Sequence, residues 1–130
     1  MLAPAWHTRR EASMSDVASP HEDTHTLHDL ADMFITSPDG PNRTLVQGSP
    51  GFKVLHLSLR PGQRMPVHDH AGCYVTIQAL TGTATVRLDG ARIVVPAGQV
   101  LSFPGESRVS PGNDSAEDCA VLITLVDRPG

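Results

Sequence analysis

MPVHDHAGCYVTIQALTG, residues 65–82, sets two histidines, His68 and His70, one residue apart at the mouth of an apolar, β-like run. Residues two apart on a strand project to the same face, about 6.5–7 Å apart at the backbone. Two imidazoles placed in that way can converge on one ion at about 2.0–2.1 Å. The stretch thus predicts a strand that opens on a pair of metal-ligating side chains, and the remaining chain must supply both the sheet around it and any further ligands.

Outward from this stretch the texture is uniform. From Arg43 onward, short runs rich in Val, Ile, Leu and Thr alternate with Gly and Pro punctuation at GSPG, RPGQ, LTG, LDGA, PAG, FPGE and SPGND, the pattern of an all-β barrel or sandwich. GTATVRLDG, residues 82–90, is the clearest strand, with Ala84, Val86 and Leu88 on one face and Thr83, Thr85 and Arg87 on the other. Its Asp-Gly turn into ARIVV predicts a hairpin with one wet face. CAVLITLV, residues 119–126, is apolar almost throughout and reads as a strand covered on both sides.

The other end of the chain differs. Residues 1–25 are rich in Ser, Thr, Pro, His and acids, show no apolar period, and are read as a mobile tail. Met14 opens MSDVASPHED like a natural start. Between tail and strands, THTLHDLADMF carries Leu27, Leu30, Ala31 and Phe34 at helical spacing behind a Thr cap, which predicts one short amphipathic helix lidding a single domain over residues 26–130.

Composition narrows the function. A formal charge of −4 with ten scattered basic residues leaves no stripe to neutralise phosphates, so nucleic acid is excluded as the expected partner. There is neither a run of about 18 apolar residues for a membrane span nor an apolar N-terminal signal stretch, and the expected setting is cytoplasmic. Cys73 and Cys119 are then reduced thiols rather than a disulfide framework, and the sequons at Asn42 and Asn113 are chance.

Gly62, five residues, His68-Asp69-His70, then Gly82, then Gly90, five residues, Pro96-Ala97-Gly98 and Pro104 together resemble the cupin family, over about residues 43–127. The resemblance implies a small antiparallel jelly-roll barrel with the histidines facing its interior. It also implies two further ligands, a Glu and a third His. The Glu position falls on Val75, and the His position on Arg108 or, with a one-residue slip, on Ser107. Thiol dioxygenases of the superfamily also lack the Glu and carry HDH in the first motif, but they keep the third His and are longer chains.

The candidate site is therefore His68 and His70 as ligands of one divalent metal ion (zinc, iron, nickel or manganese) with an incomplete shell. Val75, Ile77 and Arg108 line the pocket, and Arg108 is placed to steer an anion. Cys73, three residues after His70, and His56 in FKVLHLSLR are the other side chains that could complete the shell, against the blander readings of core filler and hydrogen-bonded surface histidine. HEDTH, His21–His25, fits a His-Glu-x-x-His pattern but lies in a polar segment with nothing to bury. Two functions follow: a small-molecule-binding or sensing module with a weak or degenerate two-histidine metal site, or a mononuclear metal-dependent enzyme of dioxygenase or isomerase type acting on a small anionic substrate. A homodimer is expected, because a jelly roll of this size leaves edge strands to cover.

Overall fold

The computed structural model describes residues 25–129. Eight strands alternate with short turns: β1 (Asn42–Ser49), β2 (Phe52–Leu59), β3 (Cys73–Thr81), β4 (Thr83–Leu88), β5 (Ala91–Pro96), β6 (Val100–Pro104), β7 (Val109–Gly112) and β8 (Cys119–Asp127). They form a five-stranded sheet, β1-β2-β8-β3-β6, and a three-stranded sheet, β5-β4-β7, antiparallel throughout. This is the all-β architecture that the alternation predicts, in the jelly-roll form that the family resemblance implies.

Register explains the core. Leu45, Leu55, Ile123, Ile77 and Leu101 stand opposite one another across all five strands of the larger sheet. Paired residues share a face, so this row and its neighbours, Leu57-Val121-Ala79 and Leu125-Val75-Phe103, pave one inner surface. Ala84, Val86, Val95 and Val109 close on it from the smaller sheet. A one-residue slip of β3 would turn Val75, Ile77 and Ala79 to the outside, so burial itself fixes the pairing.

The β4–β5 hairpin matches its sequence, with Asp89 at φ 50° and Gly90 at φ 84° supplying the two left-handed residues of a tight turn. Its expected wet face is wet only in part. Thr85 is buried because it pairs with Gly112 of β7, where a Cβ would meet the Arg64 guanidinium. β8 is covered on both sides only over its first three residues, and Val126 is exposed.

The amphipathic helix expected over THTLHDLADMF is a correction: the chain makes a single 3₁₀ turn, Leu30–Met33. Asp29 lies in the middle of the expected helix and instead caps this turn, accepting from the Ala31 N–H at 3.1 Å. Leu27 is left 96% exposed. A helix of that length is marginal in water without a partner for its apolar face. The turn still lids the sheet, since Ser58 Oγ accepts from Ile35 N and donates to Met33 O. Beneath it His56 is buried on the outer face, with Leu30, Ala31 and Phe34 over it. The tail of residues 1–24, with Met14 and most of HEDTH, lies outside the described residues.

The two ends of the barrel differ. Where β2 ends and β8 begins, Asn113 is fully buried and acts as a stopper. Its Nδ2 donates to Leu59 O and Glu117 O, its Oδ1 accepts from Ser115, and its backbone exchanges bonds with Gly62 and Gln63. At the opposite end, around Lys53, Cys73 and Leu125, nothing equivalent closes the barrel among the described residues.

Two expectations follow. Asn113→Ala strands buried carbonyls without donors and should lower stability by about 2–3 kcal/mol, read from the urea midpoint at constant slope. Burial holds the His56 imidazole below its ordinary value, and its Nδ1 has no partner among the described residues. The unfolded chain takes up that proton as pH falls through about 6.5, whereas the folded ring resists it, so acidification destabilises the fold. His56→Leu should therefore lose less stability between about pH 7 and pH 5 than the parent; equal losses would acquit the ring.

Candidate functional site

His68 and His70 stand just before β3, on a segment that runs beside β7 rather than on a regular strand. His68 exchanges both backbone bonds with Val109, N to O at 3.0 Å and O from N at 2.8 Å. His70 N donates to Gly105 O at 2.7 Å, Gly105 N donates to Cys73 O at 2.7 Å, and Cys73 N donates to His70 O at 3.1 Å. A side chain at residue 105 would overlap the His70 carbonyl oxygen, so glycine is the residue that allows this corner to close. The corner is clamped from outside: Arg128 pairs with Glu106, lies 5.5 Å over the Tyr74 ring, and gives its N–H to Gly72 O, while Glu106 accepts from Gly72 N.

The two imidazoles are brought together. Their ring centres are 4.7 Å apart and the planes are nearly perpendicular, at 89°. Two rings on one ion at about 2.0–2.1 Å and a near-tetrahedral angle would have centres about 5 Å apart, so the spacing alone is of the right order. His68 Nδ1 lies 2.7 Å from Pro66 O, which leaves Nε2 free to face outward from that contact. Burial, then the neighbouring His68 and Lys53, lower the His70 value against the opposite pull of Asp69.

The further ligands are not brought with them. Among the described residues no group of three or more His, Cys, Asp or Glu gathers to hold a metal. Val75 is 1% exposed and packed among apolar neighbours. Ile77 shares that core, so both line packed interior rather than open space. Arg108 is an exposed residue whose backbone is tied to Asp89 at the β4–β5 turn, and Ser107 sits in the turn before it. His56 points away from the barrel interior, because its neighbours Leu55 and Leu57 hold the inner positions. The Cys73 thiol donates to Asp127 Oδ1 at 3.4 Å, and desolvation together with that carboxylate pushes its value up. Among the described residues the two imidazoles are the only ligand candidates brought together here, fewer than the closed shell of a resident metal ion.

What His70 faces instead is an open concavity of about 430 Å³ bordered by Arg43, Leu45, Lys53, Leu55 and Leu125. An adjoining recess of about 260 Å³ shares His70, Lys53 and Leu125 and extends to Cys73 and Asp127. Sequence reasoning missed Arg43 and Lys53. The signal was in the alternation of NRTLVQGS and FKVLHLSL, but only the cross-strand register shows that Arg43 pairs with Leu57, and Lys53 with Leu125, on the inner face. The site is open because β4 and β5 face β8 and β3, leaving β1 and the start of β2 uncovered. Leu45 is accordingly 57% exposed on what is otherwise the core face.

No helix among the described residues is long and apolar enough to cross a membrane. Comparison with curated proteins returns no match. Among solved structures, the TT1209 protein from Thermus thermophilus is similar with a TM-score of 0.73 at 25% identity, covering 79% of this chain and 98% of that one. An RmlC-like cupin protein from Desulfovibrio desulfuricans gives 0.72 at 28% identity, covering 78% and 96%. The cupin domain of an XRE family transcriptional regulator from Enterobacter cloacae gives 0.64 at 15% identity, covering 69% and 99%, a likeness of fold alone. The sequence profile of the Cupin domain family matches residues 55–125. That match takes in more than half of the chain, including the His68–His70 segment and the strands that frame it, and the chain belongs to the cupin family.

Proposed function

We propose that this protein is a small-molecule-binding module of cupin type whose His68 and His70 are the remnant of a metal site with too few donors to retain an ion. The observation that carries this reading is the pairing of an incomplete donor set with an open concavity at His70, bordered by the apolar side chains of Leu45, Leu55 and Leu125. Its size lies in the range of small-molecule sites, and the mixture of apolar wall with a few convergent polar groups is their usual composition. The edges of the five-stranded sheet, β1 and β6, support association into a homodimer, to be checked by light scattering over micromolar concentrations.

The mononuclear-enzyme reading needs a resident ion, and it is the alternative that the test removes. Untagged protein analysed for zinc, iron, nickel and manganese should hold well below one ion per chain. Chelation should leave its melting temperature unchanged. An ion bound a hundredfold below its working concentration adds about 2.7 kcal/mol, whose loss would register in a domain of this size as a fall of about 10 °C. A stoichiometric metal with such a fall on chelation would overturn the module in favour of the enzyme. A fragment screen read on the His70 imidazole signals should find ligands, and silence from every fragment would overturn the module as well.

A further inference from the structure

Resting on that reading, we propose that the concavity is an anion site and that the module's ligand is a small organic acid, its carboxylate held between Lys53 and Arg43 beside His70. The three groups come from three separate parts of the chain. Arg43 stands on β1 opposite Leu57, Lys53 on β2 opposite Leu125, and His70 is fixed by the backbone corner at Gly105. All three border one concavity, and its lining includes no carboxylate. Two acids lie to its sides: Asp69 is exposed beside His70, and Asp127 belongs to the adjoining recess, where it accepts from the Cys73 thiol.

Placement on the inner face is what makes the two cations informative. That face is otherwise paved with apolar side chains, and Arg43 and Lys53 stand exposed at its margin, where the opposing sheet does not reach. Arg43 and Lys53 stand two rows apart on that face, with the Leu45–Leu55 pair between them, so a counter-charge seated over those leucines would serve both cations. An organic carboxylate supplies that counter-charge, and Arg offers it a two-pronged, charge-assisted contact while Lys offers a point charge. The organic portion then lies against Leu45, Leu55 and Leu125, whose exposed area a free inorganic anion would leave wet. A volume of about 430 Å³ suits an acid of benzoate size with room for its bound water.

The test uses the full chain, with benzoate and succinate as probes and their amides and benzylamine as neutral and cationic counterparts. Binding is read by calorimetry and by the imidazole carbon–proton shifts of His70. Benzoate or succinate should bind, the matching amide at least tenfold more weakly, and benzylamine not at all, with affinity falling as salt is raised from about 50 to about 500 mM. Lys53→Gln and Arg43→Gln, both at exposed positions, should each weaken the acid at least fivefold and shrink its preference over the amide. Lys53→Arg should restore part of it, and Arg87→Gln, which removes the same charge from the exposed face of β4, should change nothing. Equal binding of acid and amide, or affinity indifferent to both Gln variants, overturns the anion site while leaving a module for neutral ligands. His70 signals untouched by every probe, whatever its charge, overturn the anion site together with the module.

Discussion

Three backbone hydrogen bonds among His70, Cys73 and Gly105 hold the open end of this barrel in shape. Each of the three residues donates to one of the others, so the start of β3 and the end of β6 are locked before any side chain is considered. The lock needs a residue without a Cβ at 105, because any larger one would strike the His70 carbonyl. It also sets the direction of the His70 ring, which follows from a backbone fixed on both sides. The Arg128–Glu106 pair and the Tyr74 ring brace the same corner from outside, but these are partly exposed groups, and exposed ion pairs contribute little on their own. The backbone corner is the constraint, and the charges around it are secondary.

From this corner the difference between the two ends of the barrel follows. At the far end Asn113 satisfies the carbonyls of Leu59 and Glu117 and ties two turns together, and Gly82 lets the Asp118 carbonyl approach closely. That end is solid. Along its β1 side the larger sheet extends beyond its smaller partner, and the same alternation that packs Leu57 and Val121 sets Arg43 beside Leu57 on the edge strand and Lys53 beside Leu125 at the open end. One period-2 pattern thus builds core at one place and an open, mixed apolar and charged surface at another, depending on whether the opposing sheet reaches it.

The strands were legible because their signals are local: alternation in GTATVRLDG, the Asp-Gly turn, and Gly and Pro at the breaks. The family motif further placed His68 and His70 together, and their rings do meet. What escaped was everything set by pairing at a distance. Lys53 reads as an ordinary strand lysine until β8 brings Leu125 beside it. Val75 and Ile77 read as pocket lining, yet the row of five apolar residues across the sheet makes Ile77 core. Arg108 is tied to Asp89 through a turn contact that no spacing announces. The expected helix failed for a local reason, since Asp29 can cap a turn as readily as it can ride on a helix, and 3₁₀ geometry was enough to bring Met33 and Ile35 to Ser58.

The loss of metal ligands and the presence of rim cations are linked by electrostatics. The family resemblance places a carboxylate where this chain has Val75. With that carboxylate, one of a divalent ion's two charges would be balanced by the protein itself. Without it, the groups bordering the His70 concavity are two permanent cations and an imidazole whose protonation burial opposes. Two unit charges about 4 Å apart interact by about 4 kcal/mol at the effective dielectric of a protein surface. A divalent cation entering among Arg43, Lys53 and His70 would meet like charge from two side chains, with only two imidazoles to offset it. An anion entering the same space meets opposite charge from both. The sign of the potential at this mouth is set by Arg43 and Lys53 and by the absence of a carboxylate from its lining, and it favours an anion over a cation there.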